Sequence, residues 1–164
     1  MAASNLPAVI NEEEVITTLN VTLIPVGGGT TVTLQTQDLD GDGPNAPVIT
    51  VSDDLENGKV YNGTIELLNE TVNPAEDITE EVEGESDEHQ FFYTIGTGLD
   101  VSTTYENFDT NGENLGTEFT LTTNTVSSGI LTFTLRHEPT KPNTGLTDAG
   151  GETDISATFD IVIN

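Results

Sequence analysis

The chain has 164 residues, enough for one domain with a real core and too few for two comfortable ones. Three basic residues (Lys59, Arg136, Lys141) face 29 acidic ones, a net charge of -26, so phosphate backbones and anionic membrane surfaces are repelled and cations are the natural partners. The absence of Cys excludes disulfides, thiolate nucleophiles and Cys-ligated metals, and the apolar runs are too short for a transmembrane segment.

Apolar residues make up 34 % and Trp is absent, so the core must be Val, Ile, Leu and a few Phe. Low hydrophobicity with high net charge favours disorder, but here the apolar residues recur regularly and argue for a fold. The acidity itself reads first as a halophilic surface, kept soluble in salty water where screening relieves self-repulsion.

The opening MAASNLPAV has neither the basic nor the apolar region of a signal peptide. An exported form would therefore be a mature chain whose targeting segment has been removed. Residues 1–10 are expected to form a flexible segment, and 11–164 a single domain. Period-two alternation, the strand signal, then runs through 15–25 (VITTLNVTLIP), 31–37 (TVTLQTQ), 48–51, 60–69 (VYNGTIELLN), 89–95 (HQFFYTI), 99–105, 117–123 (TEFTLTT), 130–137 (ILTFTLRH) and 153–163 (TDISATFDIVI). Turn signals separate them: GGG at 27–29, ENG at 56–58, DTNG at 109–112, SSG at 127–129 and GG at 150–151. Segment 74–85, PAEDITEEVEGE, has Pro near its start and early carboxylates, with little apolar stripe to anchor it. It reads as a loop with one or two helical turns.

About nine strands with such turns predict an all-β fold, an immunoglobulin-like antiparallel β-sandwich. In that order 60–69, 89–95, 117–123, 130–137 and 153–163 take the places of strands B, C, E, F and G. C and F are antiparallel neighbours, so the start of C lies beside the end of F. His89 opens C and His137 closes F, and the chain has only these two His. The loops 70–88 and 138–152 project from that same end, and binding usually resides in loops on a rigid scaffold.

Two candidate sites follow. DLDGDGPN at 38–45 places Asp38, Asp40 and Asp42 at the first, third and fifth positions of an EF-hand-like loop, with Gly at the sixth. Ile49 stands where the bidentate Glu belongs and the flanks are strands, so an EF-hand is excluded. A calcium loop of another kind remains, against a polar Gly-rich turn. DTNGEN at 109–114 looks similar but is the commoner hairpin signature. The second site is His89 and His137 with a carboxylate (Glu138, Glu88 or Glu152), a set suited to zinc or copper; half-buried structural His residues are the plainer reading. No nucleophile elbow and no phosphate loop is present, so a non-enzymatic protein is expected.

Taken together, NEEEVITTLNVTL, DLDGDGPNAPVIT, LLNETVNPAEDITEEVE, DEHQFFY, LRHEPTKPN and AGGETDI resemble a family of small secreted lipoproteins from marine Bacteroidetes. The resemblance runs from about residue 11 to the end. It implies export and lipid anchoring in the cell envelope, periplasmic or cell-surface, and a place beside TonB-dependent outer-membrane receptors. Some members carry the label type 1 periplasmic binding fold, which conflicts with the strand pattern. The expectation is an acidic, non-enzymatic envelope protein that binds calcium, and zinc or copper, as an accessory to nutrient or metal uptake. The competing reading is a carbohydrate-binding or adhesive module with a structural calcium, although few exposed aromatics are available as sugar platforms.

Overall fold

A computed structural model describes residues 14–41 and 43–164. The expected flexible segment 1–10 and Asp42 lie outside the described residues. The described chain forms ten strands: β1 (Thr18–Pro25), β2 (Val32–Gln37), β3 (Val48–Val51), β4 (Val60–Asn69), β5 (Glu76–Asp77), β6 (His89–Ile95), β7 (Val101–Tyr105), β8 (Glu118–Thr123), β9 (Ser127–His137) and β10 (Glu152–Ile163). Two short helices, α1 (Ile78–Gly84) and α2 (Leu146–Ala149), sit in the long connections.

The strands build two antiparallel sheets. One runs β3-β2-β1-β4-β8-β7, with β5 added to β4; the other runs β10-β9-β6. Within the first, β1-β4-β8-β7 is the A-B-E-D order of an immunoglobulin-like sandwich, and β10-β9-β6 is its G-F-C sheet. The extra pair β2-β3 extends the first sheet beyond β1.

Alternation explains why these strands face as they do. Leu19, Val21 and Leu23 of β1 and Ile65 and Leu67 of β4 are buried against Phe91 of β6, Phe133 and Leu135 of β9, and Phe159 and Ile161 of β10. Each such side chain contributes about 1.5–3 kcal/mol by leaving water. Tyr93, Phe119, Phe133 and Phe159 form a chain of ring contacts across the two sheets. Most intervening residues are Thr, Ser, Asn, Gln and acids, which keep the outer faces wet, with Ile24, Ile130 and Val162 exposed among them.

Two expectations need correction. SSG at 127–129 is not a turn; it opens β9. Gly129 is required there because a Cβ would lie 2.9 Å from the Leu99 side chain and 3.0 Å from its backbone nitrogen. Segment 74–85 does form a helix of the expected length, but it has an apolar anchor after all. Ile78 and Val82, one helical turn apart, are both buried. Its N-cap is Asp77, whose carboxylate accepts the Thr79 N–H at 3.0 Å, and Pro74 lies ahead of it rather than in its first turn.

Candidate metal centre

The sandwich brings its two imidazoles into register. His89 and His137 are direct cross-strand partners in the β6–β9 ladder. Both point into the sandwich, where alternation places Phe91 and Leu135. Their rings stack at 4.9 Å between centroids and 13° between planes. His89 is 0 % exposed and His137 7 %.

The loops meet over this end as strand order demands. The Glu138 N–H donates to the Glu88 carbonyl at 2.7 Å. Lys141 Nζ donates to the Ser86 carbonyl at 2.9 Å and to Asp109 Oδ2 at 3.1 Å. That ion pair is buried on both sides. Asp109 also accepts the N–H groups of Asn111 and Glu113, so 109–114 is a turn closed on its own carboxylate, as its Asn-Gly predicts. Burial pushes the Asp109 pKa up, but the Glu113 N–H, Lys141 and the Asn111 N–H together hold it below the usual carboxylate range.

Two residues that sequence reasoning passed over complete the centre. Glu14, just ahead of β1, and Asp154, near the start of β10, both face His89. Asp154 Oδ2 lies 3.6 Å from His89 Nε2, and Glu14 Oε2 lies 3.8 Å from it. The Asp154 side chain is 0 % exposed and that of Glu14 10 %. Asp154 is there because of a β-bulge. Thr153 pairs with Arg136 and Ile155 with Leu135, leaving Asp154 without a cross-strand partner. Regular alternation would send it outward with Ser156 and Thr158; the extra residue re-aims it inward.

The hydrogen-bond accounting is unusual. Glu14 Oε2, His89 Nε2, His137 Nε2 and both carboxylate oxygens of Asp154 are buried with no hydrogen-bond partner. Buried polar atoms are normally paired, and a carboxylate left bare costs more than a neutral group. On the far side of the ring, His89 Nδ1 lies 3.0 Å from the Glu85 carbonyl. A carbonyl only accepts, so Nδ1 carries the proton in this bond and Nε2 faces the carboxylates. Metal-binding imidazoles are arranged in this way, with the second nitrogen oriented by a backbone carbonyl.

Burial lowers the proton affinity of His89, yet the carboxylate of Asp154, the Glu85 carbonyl and Glu14 more than offset it and raise its pKa above the ordinary value. The environment is built to hold positive charge. Ligands at about 2.0–2.2 Å around a tetrahedral ion stand about 3.4 Å apart. The two separations from His89 Nε2, 3.6 and 3.8 Å, are close to that value, and all three ligand atoms lie within 4.8 Å of one another, so the carboxylates draw inward to enclose one. One imidazole with two carboxylates is a donor set for zinc or copper.

The other expected ligands fall elsewhere. Glu138 is exposed and belongs to neither of the two ligand groupings among the described residues, which are Glu14–His89–Asp154 and Glu85–His89–His137. Glu152 is exposed as well. Asp38 and Asp40 enter no grouping of three ligands. Asp40 is exposed and caps its own turn, accepting the Asn45 N–H at 3.1 Å, and this bond leads the interactions that hold its pKa low. The Gly43 N–H closes the turn on the Asp40 carbonyl. Asp38 donates its N–H to the Thr17 carbonyl, and its Oδ1 is buried without a partner.

No helix among the described residues is long and apolar enough to cross a membrane. No protein-family model matches this chain, and neither does any curated protein or solved structure.

Proposed function

We propose that the protein is a non-enzymatic binding module for a divalent transition-metal cation, zinc or copper, held by Glu14, His89 and Asp154 at one end of the sandwich. The observation that carries this reading is the bare Asp154 carboxylate: fully buried, with both oxygens unpaired, and facing an imidazole nitrogen that is itself unpaired. A cation answers the needs of all three groups. His89 and Asp154 belong to the three-stranded sheet and Glu14 leads into the other, so a bound ion ties the two sheets together. The resemblance to envelope lipoproteins supplies the setting, an exported, lipid-anchored protein that assists a TonB-dependent receptor in uptake. The net charge of -26 accords with gathering cations at a surface.

The test is thermal melting of chelator-stripped protein with zinc, copper, calcium or magnesium added back singly at high salt. An ion that binds only the folded state raises the melting temperature by mass action. Zinc or copper is expected to give the large rise, and Asp154→Asn to abolish it. A rise with calcium alone, unchanged in Asp154→Asn, would move the function to the Asp38–Asp40 turn. No rise with any ion would leave the acids as salt-adapted surface.

A further inference from the structure

The geometry points to a second cation position beside the first, open to solvent and held by His137 with Glu88. This inference rests on the reading of Glu14–His89–Asp154 as a metal site and deepens it. Three observations lead there. The side chain of His137 is only 8 % exposed, its Nε2 has no hydrogen bond, and that nitrogen faces Glu88 Oε2 at 3.9 Å. That separation is too long for a hydrogen bond, but suits two ligands of one ion. Glu85 brings a carboxylate oxygen into a grouping with His89 and His137 in which every ligand atom lies within 4.8 Å of the others. The two groupings share His89 alone, and its Nδ1 is taken by the Glu85 carbonyl. With His89 committed to the inner ion, the outer ion relies on His137 and Glu88, the pair whose facing atoms are 3.9 Å apart.

The two positions differ in access. The inner ligand side chains are between 0 % and 10 % exposed. The Glu88 side chain is 44 % exposed, so the outer ion keeps water in its remaining coordination places. A site closed by protein ligands leaves no place for water or a competing ligand, whereas an open one keeps such a place, and a chelator can enter there. The backbone fixes the outer ligands: the Glu88 carbonyl accepts the Glu138 N–H directly after His137, and the stack on His89 sets the plane of the His137 ring. The ligand class is the same as at the inner position, a divalent zinc or copper ion, with one ion retained and one passed on.

The experiment is copper and zinc stoichiometry on the whole chain, by metal analysis after gel filtration with and without a weak competing chelator, together with copper electron paramagnetic resonance. Two equivalents are expected without chelator and one after it. Dipolar broadening should appear only above one equivalent. His137→Phe, which keeps a ring stacked on His89, and Glu88→Gln should each remove the exchangeable equivalent and the broadening while the retained ion stays. Saturation at one equivalent, with that ion weakened by His137→Phe, would make His137 a ligand of the inner ion and overturn the second position. One equivalent lost in Asp154→Asn but indifferent to His137→Phe would overturn this inference alone. No bound metal at all would overturn both readings.

Discussion

At the residue scale the protein carries an unresolved cost, and its sign is measurable. Asp154 is buried with both oxygens bare. In metal-free protein, Asp154→Asn is therefore expected to raise stability, because a buried bare carboxylate costs more than a buried bare amide. In zinc-loaded protein the same change should lower stability. Urea unfolding with chelator and with zinc reads both signs; destabilisation under both conditions would show that Asp154 has an ordinary structural partner. Asp109 makes the contrasting case, because its partners are all present. Its folded-state pKa is depressed by the Glu113 N–H and Lys141 against the pull of burial. A depressed carboxylate contributes stability that is fully present above its unfolded value, about 3.9, and is lost as pH falls through the folded value. Asp109→Asn should cost about 3–5 kcal/mol at neutral pH by stranding buried Lys141. The gap from the parent should narrow in the acid limb below pH 4, as followed by circular dichroism. The pairing of His89 with His137 was legible in the sequence because strand order and period-two alternation together determine it. Asp154 was not, since alternation assigns it to the outer face and nothing in TDISATFDIVI announces an extra residue. Glu14 was not either, because it precedes the first strand and looks like one more surface acid.

At the element scale, α1 turns a loop into a brace for the site. Its buried pair Ile78 and Val82 seats it on the core, and its C-terminal end delivers Glu85, whose carbonyl orients His89. Sequence reading found too little apolar stripe in PAEDITEEVEGE because two residues one turn apart suffice when the rest of the helix is wet. Ile78→Ala should cost about 2–5 kcal/mol. It should also weaken zinc binding without touching a ligand, seen as a smaller zinc-induced rise in melting temperature. Within β4, Gly63 shows how closely a ring packs over its own sheet: Phe119 is its direct partner on β8. A Cβ there would lie 2.3–2.6 Å from three atoms of the Phe119 ring, and that ring is itself 1 % exposed. Gly63→Ala is expected to lose about 1–3 kcal/mol by overpacking, measured by equilibrium urea unfolding. Wild-type stability would mean that Phe119 has somewhere to go.

At the scale of the whole molecule, 29 acids and three bases set up a self-repulsion that salt relieves. The melting temperature should climb steeply with sodium chloride at low ionic strength and then level off. The zinc-induced rise should persist at high salt, because a buried centre is poorly screened. A zinc effect that vanished with salt would reassign it to the surface. The sandwich itself was readable because turn spacing, alternation and strand count agreed on one topology; the site was only half readable because its donors converge from three strands and a leading segment. Its assembly hangs on one residue of strand length. Deleting Thr153 or Asp154 would iron the bulge into regular ladder while leaving the hydrophobic faces of β9 and β10 aligned from Ile155 onward. If the proposed centre holds its cation, a single-codon insertion or deletion in β10 separates a cation-holding sandwich from an inert one of the same fold, a step that lineages could take in either direction without passing through an unfolded ancestor.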